Sequence, residues 1–244
     1  MNARYLALEA KRTLRNAKFL VFTIGLPTVL FLFYANMMGD GRTETGVSAA
    51  ALILCNMAAY GGMSAAVMSG VRVASERALG WHRQLRLTPL SGQGYLVVKG
   101  GLGLLTAVPG LVLISVVAAF AADVHLSAGQ WAQLLVGVWL ALIPFALLGL
   151  FLGHVGSAES SPVISGGVLV LLGMFGGLFI PAQAMPGWLA GVAKALPTYW
   201  LSRVGQSVVE QGVVGVEAVL VLLGWTVVLG LLVARWYVRD SARA

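Results

Sequence analysis

Charge is scarce in this sequence. Only 10% of its 244 residues are Asp, Glu, Lys or Arg, and the acids number nine. Soluble domains carry about 25% charged residues. A chain this poor in charge, 59% hydrophobic and with a mean hydropathy of +0.88, cannot cover a soluble fold with water-facing side chains. Cysteine occurs once, at Cys55, which excludes an internal disulfide; its place inside an apolar run reads as that of a small packing residue. The three histidines, His82, His125 and His154, lack the paired spacing of metal ligands, so no metal site is expected. The G-x-x-x-x-G-K-[ST] pattern is missing, and with it P-loop binding of a nucleotide by this chain. Gly92-Gln93-Gly94 lacks the third glycine and the preceding strand of a dinucleotide fingerprint and reads as a turn. No Ser, His and acid can be brought together by spacing, so no catalytic residue is assigned.

Long apolar runs are what the sequence does have. A hydrocarbon core of ~30 Å needs roughly 20 apolar residues in a helix. Six such runs occur, near Phe19–Met38, Val47–Val71, Tyr95–Ala122, Trp131–Gly153, Pro162–Ile180 and Val213–Ala234. The expectation is an all-α membrane protein of six transmembrane helices, forming one domain over residues 1–244. The first run reads as a retained span rather than a removed signal peptide, because no convincing small-residue cleavage site accompanies it. Pro27, Pro109 and Pro144 should kink their helices, and Gly149–Gly153 and Gly173–Gly177 match the small-xxx-small spacing of close helix packing.

The distribution of basic residues orients the chain. With six spans, thirteen of the sixteen Lys and Arg fall on the side of the N-terminus, the second-to-third loop and the C-terminus. Basic residues near span ends stay cytoplasmic, so both termini are expected there. Attraction to anionic lipid headgroups accounts for the net charge of +7 without nucleic acid as a partner. Residues 1–18 read as an interfacial helix, with Ala3, Leu6, Ala10, Thr13, Leu14 and Ala17 on one arc and Arg4, Lys11, Arg15 and Lys18 opposite.

Two connections carry more pattern than a plain loop requires. Ser75-Glu76-Arg77 resembles a capped helix start and Thr88-Pro89 a stop, which predicts a short separate helix over 76–90. Between the fifth and sixth runs, Pro181, Pro186 and Pro197 divide apolar stretches too short to cross a membrane. Residues 181–203 are expected to dip into or lie along the outer leaflet, with Trp188, Tyr199 and Trp200 at headgroup depth. Ionisable residues are nearly absent deep in the spans, which weakens a self-powered secondary transporter, although Glu210 and Glu217 could approach the outer end of the sixth span.

Taken in order along the chain, these features resemble the integral membrane subunits of ABC-2 type transporters, including small actinobacterial drug-export permeases. The likeness rests on Glu76, Arg77, Gly80, Leu85, Leu87, Thr88, Pro89, Ser91 and Lys99, and on Pro181, Pro186, Trp188 and the Leu196-Pro197 pair. Where such permeases often place an acid after the glycine, this chain has Trp81-His82-Arg83. The resemblance implies that residues 76–90 form a coupling helix, with Glu76, Arg77, Gly80, Arg83, Leu85, Leu87, Thr88 and Pro89 docking on a separate ATPase subunit. It further implies two ATPase copies carrying ATP and Mg, a second permease copy or a homologous permease, and no cofactor on this chain. Residence in a bacterial plasma membrane and export of a hydrophobic drug-like or lipid-linked substrate follow from the same likeness. Polysaccharide export is the rival within the family, and no substrate-binding residue is assigned.

Overall fold

The computed structural model describes residues 11–13, 15–38, 41–42, 46–80, 92–180 and 185–241. Among them every named element is helical. A short helix α1 (Ala17–Leu20) passes through a π-helical turn (Val21–Gly25) into α2 (Leu26–Met38). Then come α3 (Ala49–Ala78), α4 (Gly92–Ala121), α5 (Ala128–Ala141), α6 (Ile143–Val155) and α7 (Ser160–Phe175). Two short helices, α8 (Gly187–Ala195) and α9 (Pro197–Val209), precede α10 (Val216–Ser241).

Among the described residues, four helical stretches are long and apolar enough to cross a membrane: Ala49–Ala78, Gly94–Ala121, Ala128–Val155 and Val216–Tyr237. The first and fifth expected spans appear as shorter apolar helices, Thr23–Met38 and Ser160–Phe175. The breaks before α2 and between α5 and α6 have local causes. Pro27 has no N–H to give the Thr23 carbonyl four residues back, and the backbone widens so that Leu26 N–H reaches Val21 O instead. The hydroxyls of Thr23 and Thr28 donate to Phe19 O and Ile24 O, both at 2.7 Å. Near Pro144 the chain breaks at Leu142, whose N–H reaches Trp139 O three residues back at 3.2 Å. Helix α4 continues through Pro109. Helix α5 begins with a reciprocal capping box between Ser127 and Gln130.

Helix α3 is the axis of the bundle. It packs against α2, α4, α5, α6, α7 and α9, and its residues from Leu54 to Val67 are buried on every side. Its closest neighbour is α6. A Cβ on Gly70 would stand 2.5 Å from Gly149 C and Leu150 N, one on Gly153 would stand 2.8 Å from Gly70 O, and one on Gly149 would run into the Val67 carbonyl. The Gly149–Gly153 spacing is therefore a seam inside one chain, at which backbones touch. The Gly173–Gly177 spacing serves otherwise: Gly173 gives way to the Phe179 ring, and Gly177 ends its turn at φ +82.

Gly149→Ala should lower the melting temperature of the detergent-solubilised protein, overpacking of this kind costing about 1–3 kcal/mol. Gly167→Ala, where nothing lies within 4 Å of the added methyl, should be neutral or slightly stabilising. Tryptophan-fluorescence melts of the two variants measure this, and indistinguishable melts would show that α3 and α6 are not in backbone contact.

Candidate functional site

The ends of α3, α4, α6 and α10 meet at the basic end of the bundle, and the segment predicted to couple to a partner begins there. Glu76 lies in the last turn of α3. Its Oε1 receives Lys99 Nζ from α4 at 2.5 Å and its Oε2 receives the Tyr95 hydroxyl at 2.9 Å. Lys99 is buried, its side chain 2% exposed against 22% for Glu76. One residue on, the Arg77 guanidinium donates to the Gly153 carbonyl at 3.3 Å and also to the His154 carbonyl, so it covers the open carbonyl end of α6. His154 donates from Nδ1 to Leu150 O at 2.8 Å and meets Tyr237 of α10 edge-on, with centroids 6.2 Å apart. Tyr237 also lies 6.5 Å from the Tyr95 ring. A turn earlier on α3, Arg72 donates to Thr13 Oγ1 at 2.7 Å and lies 5.2 Å from the Phe19 ring centre. The end of α3 is thus held to α4, α6 and the segment preceding α1.

This corrects the reading of Ser75-Glu76-Arg77 as the start of a separate helix. These residues close α3: the Ser75 carbonyl accepts Leu79 N–H at 3.1 Å, Arg77 O accepts Gly80 N–H at 3.0 Å, and Gly80 adopts φ +70. The left-handed glycine just past the last turn is a helix stop. A carboxylate is normally unfavourable at the negative end of a helix, which made Glu76 look N-terminal. Lys99, 23 positions away, reverses that preference. Arg83, Leu85, Leu87, Thr88 and Pro89 lie outside the described residues.

A second polar cluster occupies the opposite end, where α3 begins. Asn56 Oδ1 accepts from Ser202 Oγ at 2.5 Å and from Gln206 Nε2 at 2.9 Å, and Gln206 Nε2 lies 3.0 Å from Ser202 Oγ. Arg203 donates to Gln206 Oε1 at 3.1 Å and to Glu210 at 3.3 Å. These side chains line a cavity of about 310 Å³ whose other walls include Tyr34, Ile53, Met57, Phe179 and Tyr199. Glu210 accordingly faces Arg203 beside this cavity, although Glu217 begins α10 nearby.

The proline-punctuated segment forms α8 and α9. Pro186 is the residue preceding α8, Pro197 opens α9 and is buried, and Trp188 is 73% exposed; Pro181 lies outside the described residues. Trp200 and Trp225 donate from Nε1 to Lys194 O at 2.7 Å and to Ala195 O at 3.0 Å, satisfying carbonyls at the end of α8. Trp200, expected as an interfacial anchor, braces this corner. Helix α9 is amphipathic, and its apolar face packs against α3, α5 and α10. Among the described residues no group of three or more His, Cys, Asp or Glu is placed to hold a metal ion.

Among the described residues, an all-helical bundle with four helices long and apolar enough to cross a bilayer is the architecture of a membrane-spanning protein. The chain belongs to the ABC-2 type transporter family, whose family model matches residues 5–209. It is also similar to the protein of Bacillus subtilis (strain 168) described as "Putative transport permease YvfS". The two are 26% identical over 227 residues, covering 92% of this chain and 91% of that protein. Membership makes the chain a transport subunit of the membrane, not an enzyme.

Removing one partner of the Glu76–Lys99 pair takes the contacting opposite charge from the other, a loss of about 3–5 kcal/mol for a fully buried pair and less here because Glu76 is 22% exposed. Lys99→Met should therefore melt lower than the double variant Glu76→Gln/Lys99→Met. A double-mutant cycle in melting temperature measures the coupling, and additive effects would show the two side chains to be independent.

Proposed function

We propose that this chain is the permease subunit of an ATP-driven exporter in a bacterial plasma membrane, working with a separate ATPase subunit. Permeases of this family generally work with such a subunit. In this reading the chain is a single transmembrane domain with six crossings, the shorter helices Thr23–Met38 and Ser160–Phe175 completing the set with help from their flanking turns. Both termini and the loop after α3 are cytoplasmic. Two permeases, identical or homologous, assemble with two ATPase copies that carry ATP and Mg, while lipid headgroups meet the basic end. The substrate is a hydrophobic drug-like or lipid-linked molecule.

The observation that carries the proposal is the anchorage of the turn containing Glu76 and Arg77. Helix α3 runs unbroken from Ala49 to Ala78, and its last turn is tied to α4 through Lys99 and Tyr95 and to α6 through Arg77. A load applied to the loop beyond Gly80 reaches three spans at once, as a coupling element requires. Residues 76–90 thereby divide in role: Glu76, Arg77 and Gly80 root the segment, and Arg83, Leu85, Leu87, Thr88 and Pro89 dock it. Basic and leucine side chains suit an acidic, partly apolar groove on the partner. At the other side of the membrane, residues 181–203, Pro181 among them, close the outer exit, with Pro186 and Pro197 at the starts of α8 and α9 and Trp188 at the headgroups.

Arg83→Glu should reduce copurification of a co-expressed cognate ABC ATPase about tenfold, through like-charge contact at the groove, with membrane insertion unchanged. Glu76→Ala should weaken copurification as well, through loss of the anchor. In proteoliposomes holding both subunits, uncharged amphiphiles should stimulate ATP hydrolysis. Uphill solute movement by the purified chain alone, without nucleotide, would overturn the proposal, as would unimpaired copurification of Arg83→Glu.

A further inference from the structure

The cavity at the start of α3 has a chemistry that selects a ligand. Its volume of about 310 Å³ is at the small end of the range for drug-sized molecules. Apolar residues, Tyr34, Met57, Phe179 and Tyr199 among them, form most of its wall, leaving one polar side built from Asn56, Ser202, Arg203, Gln206 and Glu210. Arg203 and Glu210 face each other at 3.3 Å, so that side carries no net charge. A charged ligand would lose its hydration against an apolar wall without gaining an unpaired counter-charge.

The direction of the hydrogen bonds narrows the ligand further. Asn56 Oδ1 takes two donors, from Ser202 and Gln206, and is filled. Ser202 spends its proton on Asn56, and Gln206 Oε1 accepts from Arg203. Acceptor capacity remains on the Glu210 carboxylate, which is held in its ion pair, and on Gln206 Oε1. The donors on this wall that the network leaves unused are the Asn56 amide N–H groups and the guanidinium N–H groups of Arg203 beyond Nη1, and these can serve a ligand's acceptor.

We infer that this cavity is a binding site for an uncharged amphiphile with an aromatic or aliphatic body and a hydrogen-bond-accepting carbonyl. Reading that ligand as cargo rests on the transport function proposed above; occupancy of the cavity does not. The site lies within one chain, between α2, α3, α9 and the turn after α7, so each permease copy holds its own.

Benzophenone is a suitable probe: uncharged, aromatic, carbonyl-bearing, and under ultraviolet light it inserts into nearby C–H bonds with a preference for methionine. Met57 lines the cavity and is 2% exposed, whereas Met174 is 42% exposed and does not line the cavity, so it reports on probe dissolved in the surroundings. Photolabelling of the purified chain in lipid nanodiscs, read by peptide mass spectrometry, should favour Met57 over Met174 by about fivefold, the ratio one net hydrogen bond provides. Asn56→Leu should abolish that preference, and Ile53→Trp, which adds bulk inside the cavity while keeping every polar side chain, should do the same. Anionic 4-benzoylbenzoate and cationic 4-benzoylbenzyl-trimethylammonium should label Met57 at least about fivefold less than benzophenone. Equal labelling of Met57 and Met174, or labelling of Met57 by the charged analogues at the level of the ketone, would overturn the site. Because no ATPase is present, failure here leaves ATPase copurification and stimulation untouched, and failure of those leaves the labelling untouched.

Discussion

Helices α3 and α6 touch through their backbones, and the rest of the bundle is arranged around that contact. Glycines at 70, 149 and 153 remove the side chains that would hold the two axes apart; with a Cβ on any of them, atoms would overlap. In a bilayer apolar surface gains little by leaving lipid for protein, so close van der Waals contact between small residues has to supply much of the association. The composition of α3 follows. A helix that must pass near six others can do so only if its faces are small, and over Ala58–Ala66 it presents Ala, Gly and Ser with only Tyr60 and Met63 among them. Phe31, Leu102, Leu134, Phe145 and Leu150 of the surrounding helices supply the bulk.

The polar groups sit at the ends of that axis because its middle has no room for them. At one end the buried Lys99 has an acid in contact, and Glu76 is in place because α3 continues beyond the apolar run that defines it. At the other end Asn56 does for neutral groups what Glu76 does for charged ones, gathering donors from α9 onto one buried oxygen. Each cluster ties α3 to elements distant in sequence, 19 to 77 positions away at Glu76 and Arg77 and 146 to 150 at Asn56.

That distance separates what the sequence reveals from what it conceals. The apolar runs, the prolines that break them, the pair of short helices around Pro186 and Pro197, and the Gly149–Gly153 spacing are local patterns, and each is found where its local physics places it. Ser75-Glu76-Arg77 is equally local and misled, because the preference of a carboxylate for a helix N-terminus is worth less than a contact with an ammonium group. The useful signal was Lys99, a lysine inside an otherwise apolar helix, which demands an acid nearby. Asn56, Ser202 and Gln206 gave no comparable signal. Neutral polar residues are cheap enough in isolation to be common, and only their convergence on one cavity wall distinguishes them.

The irregularities of the neighbouring helices are also organised by α3. A Cβ on Gly61 would lie 3.2 Å from Thr23 O and from Pro27, and one on Gly62 would lie 2.9 Å from Leu142. The π-helical turn before α2 and the break between α5 and α6 therefore both rest on the same two consecutive residues, where α3 has no side chain. Sharp changes of helix direction arise at prolines and π-turns, and here they are confined to the helices around the axis while α3 remains continuous. Asn56 and Glu76 lie twenty residues apart on it, about 30 Å at 1.5 Å per residue. An unbroken helix of that length, with the breaks of its neighbours seated on Gly61 and Gly62 and a polar cluster toward each end, forms one connected path of packed and hydrogen-bonded contacts from Gly80 to the cavity. In the coupling proposed above, a displacement of the Glu76 end would reach the surrounding helices at their breaks and the walls around Asn56.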